Sequence, residues 1–249
     1  MKDQKQNKIY GLIGKNINYS FSKNFFNNKF ENEKINAVYI NFDIKKIEEF
    51  KAIVTENNIS GLNITIPYKE SIINQLDYVD PTAKEIGAVN TIKFHNNILS
   101  GYNTDYLGFY TSIKNIVNSN TKALILGTGG ASKAIAYTLK ILKIKYLFVS
   151  RSKKNKKYLN YNEISKEIIN KHNLIINCTP LGTFPEINQI PQITISLITN
   201  RHIVYDLIYN PSKSLLLKKS EENGATIING YQMLENQAME SWKIWNSKH

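Results

Sequence analysis

The stretch ALILGTGGASKA, Ala123–Ala134, restricts this chain more than any other. An apolar run ends in Gly-x-Gly-Gly, and small residues lead straight into IAYTLKIL. The short apolar run reads as a buried strand and the periodic segment after it as a helix. Glycines between them permit a tight turn and a close backbone approach. Strand, glycine turn and helix start together are the context of a dinucleotide fingerprint, with Ser132 as the third small residue. The helix N-terminus would offer N–H donors and a positive dipole to a pyrophosphate. The same residues also suit a tight strand-to-helix turn with no ligand, so the rest of the chain has to decide.

The surrounding pattern alternates strand and helix. KIYGLIG (Lys8–Gly14) reads as a strand closed by glycine. SKNFFNNKFENEK (Ser22–Lys34) reads as a helix with a serine N-cap and apolar Phe25, Phe26 and Phe30. AVYINFD is a strand, IKKIEEFKAIVTEN an amphipathic helix, and GLNITIP a strand stopped by Pro67. AVNTIKFHNNILSGYNTD reads as two strands around Asn96-Asn97. A second series follows: strand Lys122–Gly127, helix Ala131–Leu142 and strand Tyr146–Ser150, then strands in NLIINCTP and HIVYDLIYNP. GYQMLENQAMESWKIW is a final helix. This alternation predicts an α/β protein with mostly parallel sheets. After Ser150, RSKKNKK is too short for a crossover helix. YLNY is therefore expected to be irregular, or not a parallel neighbour of the preceding strand.

Composition narrows the function. The 249 residues suit one large or two ordinary domains, and 42% apolar residues suffice for a core. No apolar run approaches the roughly 20 residues of a membrane span. The start, MKDQKQNKIY, lacks the apolar region of a secretory signal. The single cysteine, Cys178, excludes an internal disulfide and a cysteine zinc cluster. The expectation is a cytoplasmic protein without a metal. A net charge of +12 raises the question of nucleic acid, but the lysines are scattered and no nucleic-acid motif accompanies them. Small anionic molecules are the expected partners.

Two features sharpen this. The strand after the glycine turn ends in Ser150-Arg151-Ser152, with no acidic residue to hold a ribose 2′-hydroxyl. Arg151 and Lys154 would instead attract a 2′-phosphate, which favours NADP(H), although a solvated basic loop would look the same. In the first half, Ser20, Ser22, Asn63, Thr65, Lys69, Asn90, Thr104 and Asp105 gather near strand ends. Singly each suits a cap or turn; together they suit a polyhydroxylated ligand at the carboxyl ends of strands.

In chain order, S-x-S at Ser20 and Ser22, NITIPYK, GAVNT, GYNTD, GTGGASKA, NCTPLG, DLIYNP and GYQMLENQA resemble the shikimate dehydrogenase family over nearly the whole chain. The resemblance implies an N-terminal α/β substrate domain (1–104 with 230–249), a Rossmann-like NADP domain (105–229) and a cleft between them. It implies NADP-dependent interconversion of 3-dehydroshikimate and shikimate in aromatic amino-acid biosynthesis. Lys69 and Asp105 would be the catalytic pair, and Ser20 and Ser22 would hold the substrate carboxylate. Thr65, Asn90, Tyr209 and Gln237 would contact its hydroxyls and ring. Gly127, Gly129, Gly130 and Ala131 would wrap the pyrophosphate. Ser150, Arg151 and Ser152 would hold the adenosine phosphate, and Gly230 would lie against the cofactor. Phe26 stands where the family commonly has histidine, and Lys23 where it often has proline. A monomer or homodimer is expected. The competing readings are a quinate/shikimate dehydrogenase using NAD and a catalytically inactive nucleotide-binding relative.

Overall fold

The computed structural model describes residues 7–17, 20–152 and 155–247. The chain divides into two compact units, Met1–Thr104 with Ala238–His249, and Asp105–Gln237. The division falls inside the last helix.

The first unit is built in chain order from β1 (Lys8–Gly14), α1 (Phe21–Asn32), β2 (Ala37–Asp43), α2 (Phe50–Glu56), β3 (Ile59–Ile64), β4 (Tyr78–Val79), α3 (Pro81–Ile86), β5 (Thr91–His95) and β6 (Ile98–Tyr102). Its sheet has the order β2-β1-β3-β5-β6-β4. β1 runs parallel to β2 and β3, whereas β5 is antiparallel to β3 and β6. The β5–β6 hairpin turns on Asn96 and Asn97, both left-handed (φ 50° and 61°). Asparagine tolerates that conformation and suits the two-residue hairpin turn. Both faces of the sheet are covered, which is why its strands read as continuous apolar runs. Ile13, Leu62, Ile64 and Ile92 pack on one side. Tyr10, Leu12, Phe26, Phe30 and Tyr39 pack with Trp245 on the other. The Trp245 indole N–H donates to the Ile92 carbonyl (3.0 Å), tying the chain's end to the sheet.

Two helix starts differ from the sequence pattern. α1 is capped by Ser20, not Ser22: Ser20 is extended (φ −94°, ψ 124°) and its Oγ accepts from the Lys23 N–H. Ser22 already lies inside the first turn. The segment from Ile44 opens late, with a 3-10 turn at Ile47–Glu49 before α2. The Glu49 carboxylate accepts from the Lys45 and Lys46 N–H groups and holds that bend open.

The second unit comprises α4 (Asp105–Ile113), β7 (Lys122–Leu126), α5 (Gly130–Ile141), β8 (Lys145–Val149), β9 (Tyr158–Leu159), α6 (Lys166–Lys171), β10 (Leu174–Asn177), β11 (Ile203–Asp206), α7 (Leu215–Glu222) and β12 (Thr226–Ile228). α8 (Tyr231–Asn246) begins here and ends in the first unit. All six strands are parallel, in the order β12-β11-β10-β7-β8-β9. That is the 3-2-1-4-5-6 order of a dinucleotide-binding sheet, reversing between β7 and β10. Ala123, Ile125 and Ile176 pack on one face, Leu124, Leu126 and Ile175 on the other.

β9 corrects one expectation. Tyr158 and Leu159 do pair in parallel with Phe148 and Val149, and no helix intervenes among the described residues. The ladder is two residues long and joins only the carboxyl tip of β8, so the chain has little distance to travel back. The Phe148 and Tyr158 rings stack at 4.9 Å and hold the pairing.

β11 ends in a fully buried carboxylate, Asp206. Ser214 Oγ donates to it at 2.5 Å, Asn177 Nδ2 at 3.0 Å and the Ile208 N–H at 3.1 Å. Burial outweighs these bonds and pushes its pKa up to about 6, from an ordinary 3.8. A carboxyl that holds its proton more tightly when folded stabilises the protein below the unfolded value, and that contribution is lost as pH rises through about 6. That rise corresponds to about 3 kcal/mol. Denaturant titrations of the parent and Asp206→Asn between pH 4 and 7 should show the variant's relative stability increasing with pH over this window. A flat or opposite difference would refute the assignment.

Candidate functional site

In the first unit, a buried polar chain crosses the sheet. The Tyr39 hydroxyl, itself hydrogen-bonded with Ser22, donates to Asn63 Oδ1 (2.8 Å). Asn63 Nδ2 donates to the Asn90 carbonyl (3.2 Å) and to Ser241 Oγ (3.0 Å). Ser241 Oγ also meets Thr91 Oγ1 (2.7 Å) and Thr104 Oγ1 (3.1 Å). Asn90 Nδ2 donates to Thr104 Oγ1 (2.9 Å), and Asn90 Oδ1 accepts from the Thr104 N–H (2.6 Å). Each member would be costly if unpaired in this setting; together they are satisfied and rigid. Burial drives the Tyr39 phenol well above its ordinary pKa, opposed by the Ser22 bond, so it stays a donor.

The chain links two of the expected substrate residues, Ser22 and Asn90. Ser20 lies beside Ser22 at the start of α1; capping uses an acceptor position of its hydroxyl and leaves the proton available for donation. Thr65 follows β3, its N–H bonded to the Ile13 carbonyl (2.9 Å). Lys69 sits in the turns after Pro67, half-buried. Its carbonyl accepts from the Val89 N–H at 2.7 Å, which sets it beside the residue preceding Asn90. Phe26 stacks on the Tyr39 ring at 4.8 Å and is fully buried.

In the second unit, Asp105 is buried and opens α4, where the helix dipole favours a carboxylate. Lys69 and Asp105 thus belong to different units. Desolvation first, then the charges of Asp206 and Asp105, raise the Cys178 thiol well above its usual pKa, so it is not a thiolate nucleophile.

The glycine turn lies at the carboxyl end of β7, where the strand order reverses. Gly127 is left-handed (φ +101°), and its N–H bonds the Val149 carbonyl at the end of β8 (2.9 Å). Gly129, the N-cap of α5, is different. Its backbone is extended (φ −79°, ψ −179°), and a Cβ there would meet no protein atom within 4 Å. Neither backbone angle nor packing requires glycine, so the open space fits a ligand that approaches the main chain. The N–H groups of the first turn, at Gly130 and Ala131, have no acceptor within the helix. Ser132 is fully buried and donates to the Gly129 carbonyl (2.7 Å), closing the turn.

Ser150 Oγ accepts from the Ser152 N–H (3.3 Å) beyond β8, and Arg151 and Ser152 are exposed. Burial raises the Tyr161 phenol above its ordinary pKa, partly opposed by the Arg151 charge. Lys154 lies outside the described residues. Gly230 is explained by crowding, since a Cβ would fall 2.0 Å from the Leu207 carbonyl oxygen. Its N–H bonds the carbonyl of Ile208, the neighbour of half-buried Tyr209 (3.0 Å). Gln237 is buried and donates to the Leu234 carbonyl (3.0 Å). Among the described residues no group of His, Cys, Asp or Glu could hold a metal, and no helix is long and apolar enough to cross a membrane.

Sequence reasoning passed over Tyr39, Thr91, Ser241, Asn177, Thr179 and Asp206. The available signal was a polar residue closing or interrupting an apolar strand, as in AVYINFD and HIVYD.

Residues 12–92 match the family described as the shikimate dehydrogenase substrate binding domain. A shikimate dehydrogenase (NADP(+)) of Clostridium botulinum is 42% identical over 94% of this chain and 95% of its own length. The crystal structure of shikimate dehydrogenase from Aquifex aeolicus superposes with a TM-score of 0.86 at 38% identity, covering 97% of this chain and 93% of the other. A shikimate dehydrogenase solved in complex with NADP+ gives 0.82 at 31% identity, covering 96% and 90%. With a mixed first sheet, a 3-2-1-4-5-6 second sheet and identity sustained along nearly its full length, the chain belongs to the shikimate dehydrogenase family.

Proposed function

We propose that this protein is an NADP-dependent shikimate dehydrogenase, reversibly reducing 3-dehydroshikimate to shikimate on the route to chorismate and the aromatic amino acids. The observation that carries the reading is Gly129, a glycine at a helix N-terminus with open space where its side chain would be. Relatives named for shikimate and NADP(+) support it. So does exposed Arg151 at the end of β8, with no acidic residue beside it. The same reading makes the chain a cytoplasmic enzyme of small-molecule substrates, active as a monomer or homodimer.

NADPH, when bound, would supply the hydride for the ketone carbon. Lys69, as ammonium, meets the negative charge growing on the carbonyl oxygen and delivers the proton there. Asp105 fixes the direction of Lys69 as its charged partner. In the oxidative direction Lys69 accepts the hydroxyl proton. Ser20 and Ser22 bind the substrate carboxylate with neutral hydroxyl donors. Thr65, Asn90, Tyr209 and Gln237 orient its hydroxyls and ring. Gly127, Gly129, Gly130 and Ala131 take the pyrophosphate, with Gly230 against the cofactor. Ser150, Arg151 and Ser152 take the adenosine phosphate.

An absorbance assay at the NADPH band should show reduction of NADP+ with shikimate. Faster turnover of quinate with NAD+ would move the assignment to a quinate/shikimate dehydrogenase. Nucleotide binding without turnover of either substrate would make the chain an inactive relative.

Lys69→Ala should lower kcat by roughly 10²–10⁴ with KM moving far less, the scale of a positioned acid–base group. Asp105→Asn should lower kcat, because Lys69 loses the charged partner that directs it. Steady-state kinetics check both; near-normal kcat in folded Lys69→Ala would end the assignment.

Arg151→Ala should weaken NADP(H) binding by roughly 10- to 100-fold, the loss of one charged hydrogen bond. NAD(H) binding should barely change, since only NADP(H) carries the 2′-phosphate. Equal loss for both in binding titrations would return Arg151 to the scaffold.

A further inference from the structure

DLIYNP and NCTPLG contain a buried network that the proposed chemistry leaves unused. Asp206, fully buried at the end of β11, is an acceptor when ionised. It therefore draws the NH₂ of Asn177, equally buried at the end of β10, toward itself (3.0 Å). That fixes the direction of the Asn177 amide and turns Oδ1 forward. Asn177 Oδ1 accepts both the Thr179 N–H (3.0 Å) and the Thr179 hydroxyl (2.7 Å). With its proton spent, Thr179 Oγ1 accepts from the Leu181 N–H (3.3 Å). Thr179 and Cys178 wall the glycine turn: a Cβ on Gly127 would lie 3.1 Å from Thr179 Cγ2 and 3.3 Å from the Cys178 carbonyl.

We propose that Asp206 is a positioning residue for the dinucleotide site, acting through Asn177 and Thr179 to hold the wall against which Gly127 turns. It touches no ligand. Its effect is on NADP(H) affinity, through the path of the loop whose N–H groups meet the pyrophosphate. The inference rests on the reading of Gly127–Ala131 as that loop.

Calorimetric titration with NADP+ and separately with shikimate tests it, on folded protein well below each variant's melting temperature. Asp206→Leu should raise the NADP+ Kd about tenfold or more and change the shikimate Kd less than twofold. Asp206→Asn keeps an acceptor for Asn177 and a donor for Ser214, and should restore the parental NADP+ Kd within about threefold. Ser214→Ala removes another bond to Asp206 but leaves the Asn177 link. It should lower the melting temperature without weakening NADP+. Thr179→Val keeps the methyl against Gly127 but breaks the relay; it should weaken NADP+ several-fold, and it serves if Asp206→Leu does not fold. Parental NADP+ affinity in Asp206→Leu or Thr179→Val would overturn the proposal. So would equal weakening of both ligands, or a loss in Ser214→Ala as large as in Asp206→Leu. A parent that binds shikimate but no NADP+ would overturn the nucleotide reading together with this one.

Discussion

Gly127 leaves β7 with a backbone angle that an L side chain rarely adopts, and the nucleotide-binding unit is organised around that turn. The turn aims α5 back along the sheet and sets its free N–H groups at the carboxyl end of the central strand. Its neighbours are fixed from both sides: the end of β8 through the Val149 carbonyl, and the end of β10 through Cys178 and Thr179. Because the strand order reverses here, helices and loops part on either side, leaving room for a ligand. A Cβ on Gly129 would then meet only open space.

The first unit solves a different problem. It must hold several hydroxyls and amides inside a largely apolar core. The chain from Ser22 through Tyr39, Asn63 and Ser241 to Thr104 and Asn90 does this by pairing each polar group with another. An unpaired member would cost more than a pair gains, so the network acts as one rigid object. Aromatic packing secures it from behind: Phe26 on Tyr39, and Trp245 bonded to Ile92. The C-terminal segment contributes Ser241 and Trp245, which makes the chain's end part of this unit's core.

The main elements were legible because their patterns are local. Apolar runs between glycines and asparagines gave the strands, and the Asn96-Asn97 hairpin follows from the tolerance of asparagine for left-handed angles. Ser20 displaced Ser22 as the cap of α1 because capping depends on which residue is extended, and both have the same side chain. β9 pairs with β8 with no crossover helix among the described residues, because its ladder joins only the tip of β8. The glycine motif was visible, but motif alone does not separate a ligand-binding turn from a packed one. Open space at a Cβ of Gly129, which the tertiary structure shows, is the further observation needed.

By itself the sequence determined the alternation of strands and helices, the glycine turn, the basic end of β8 and the resemblance to a family. These rest on residues close together in the chain, where φ preferences, apolar periodicity and side-chain chemistry act directly. Tertiary structure alone decided that Asp206, Asn177 and Thr179 form one relay, and that Tyr39 joins Ser22 to Asn63. Most of those contacts join elements distant in sequence, and hydrogen bonding depends on direction and on burial. Neither is written in the spacing of the residues.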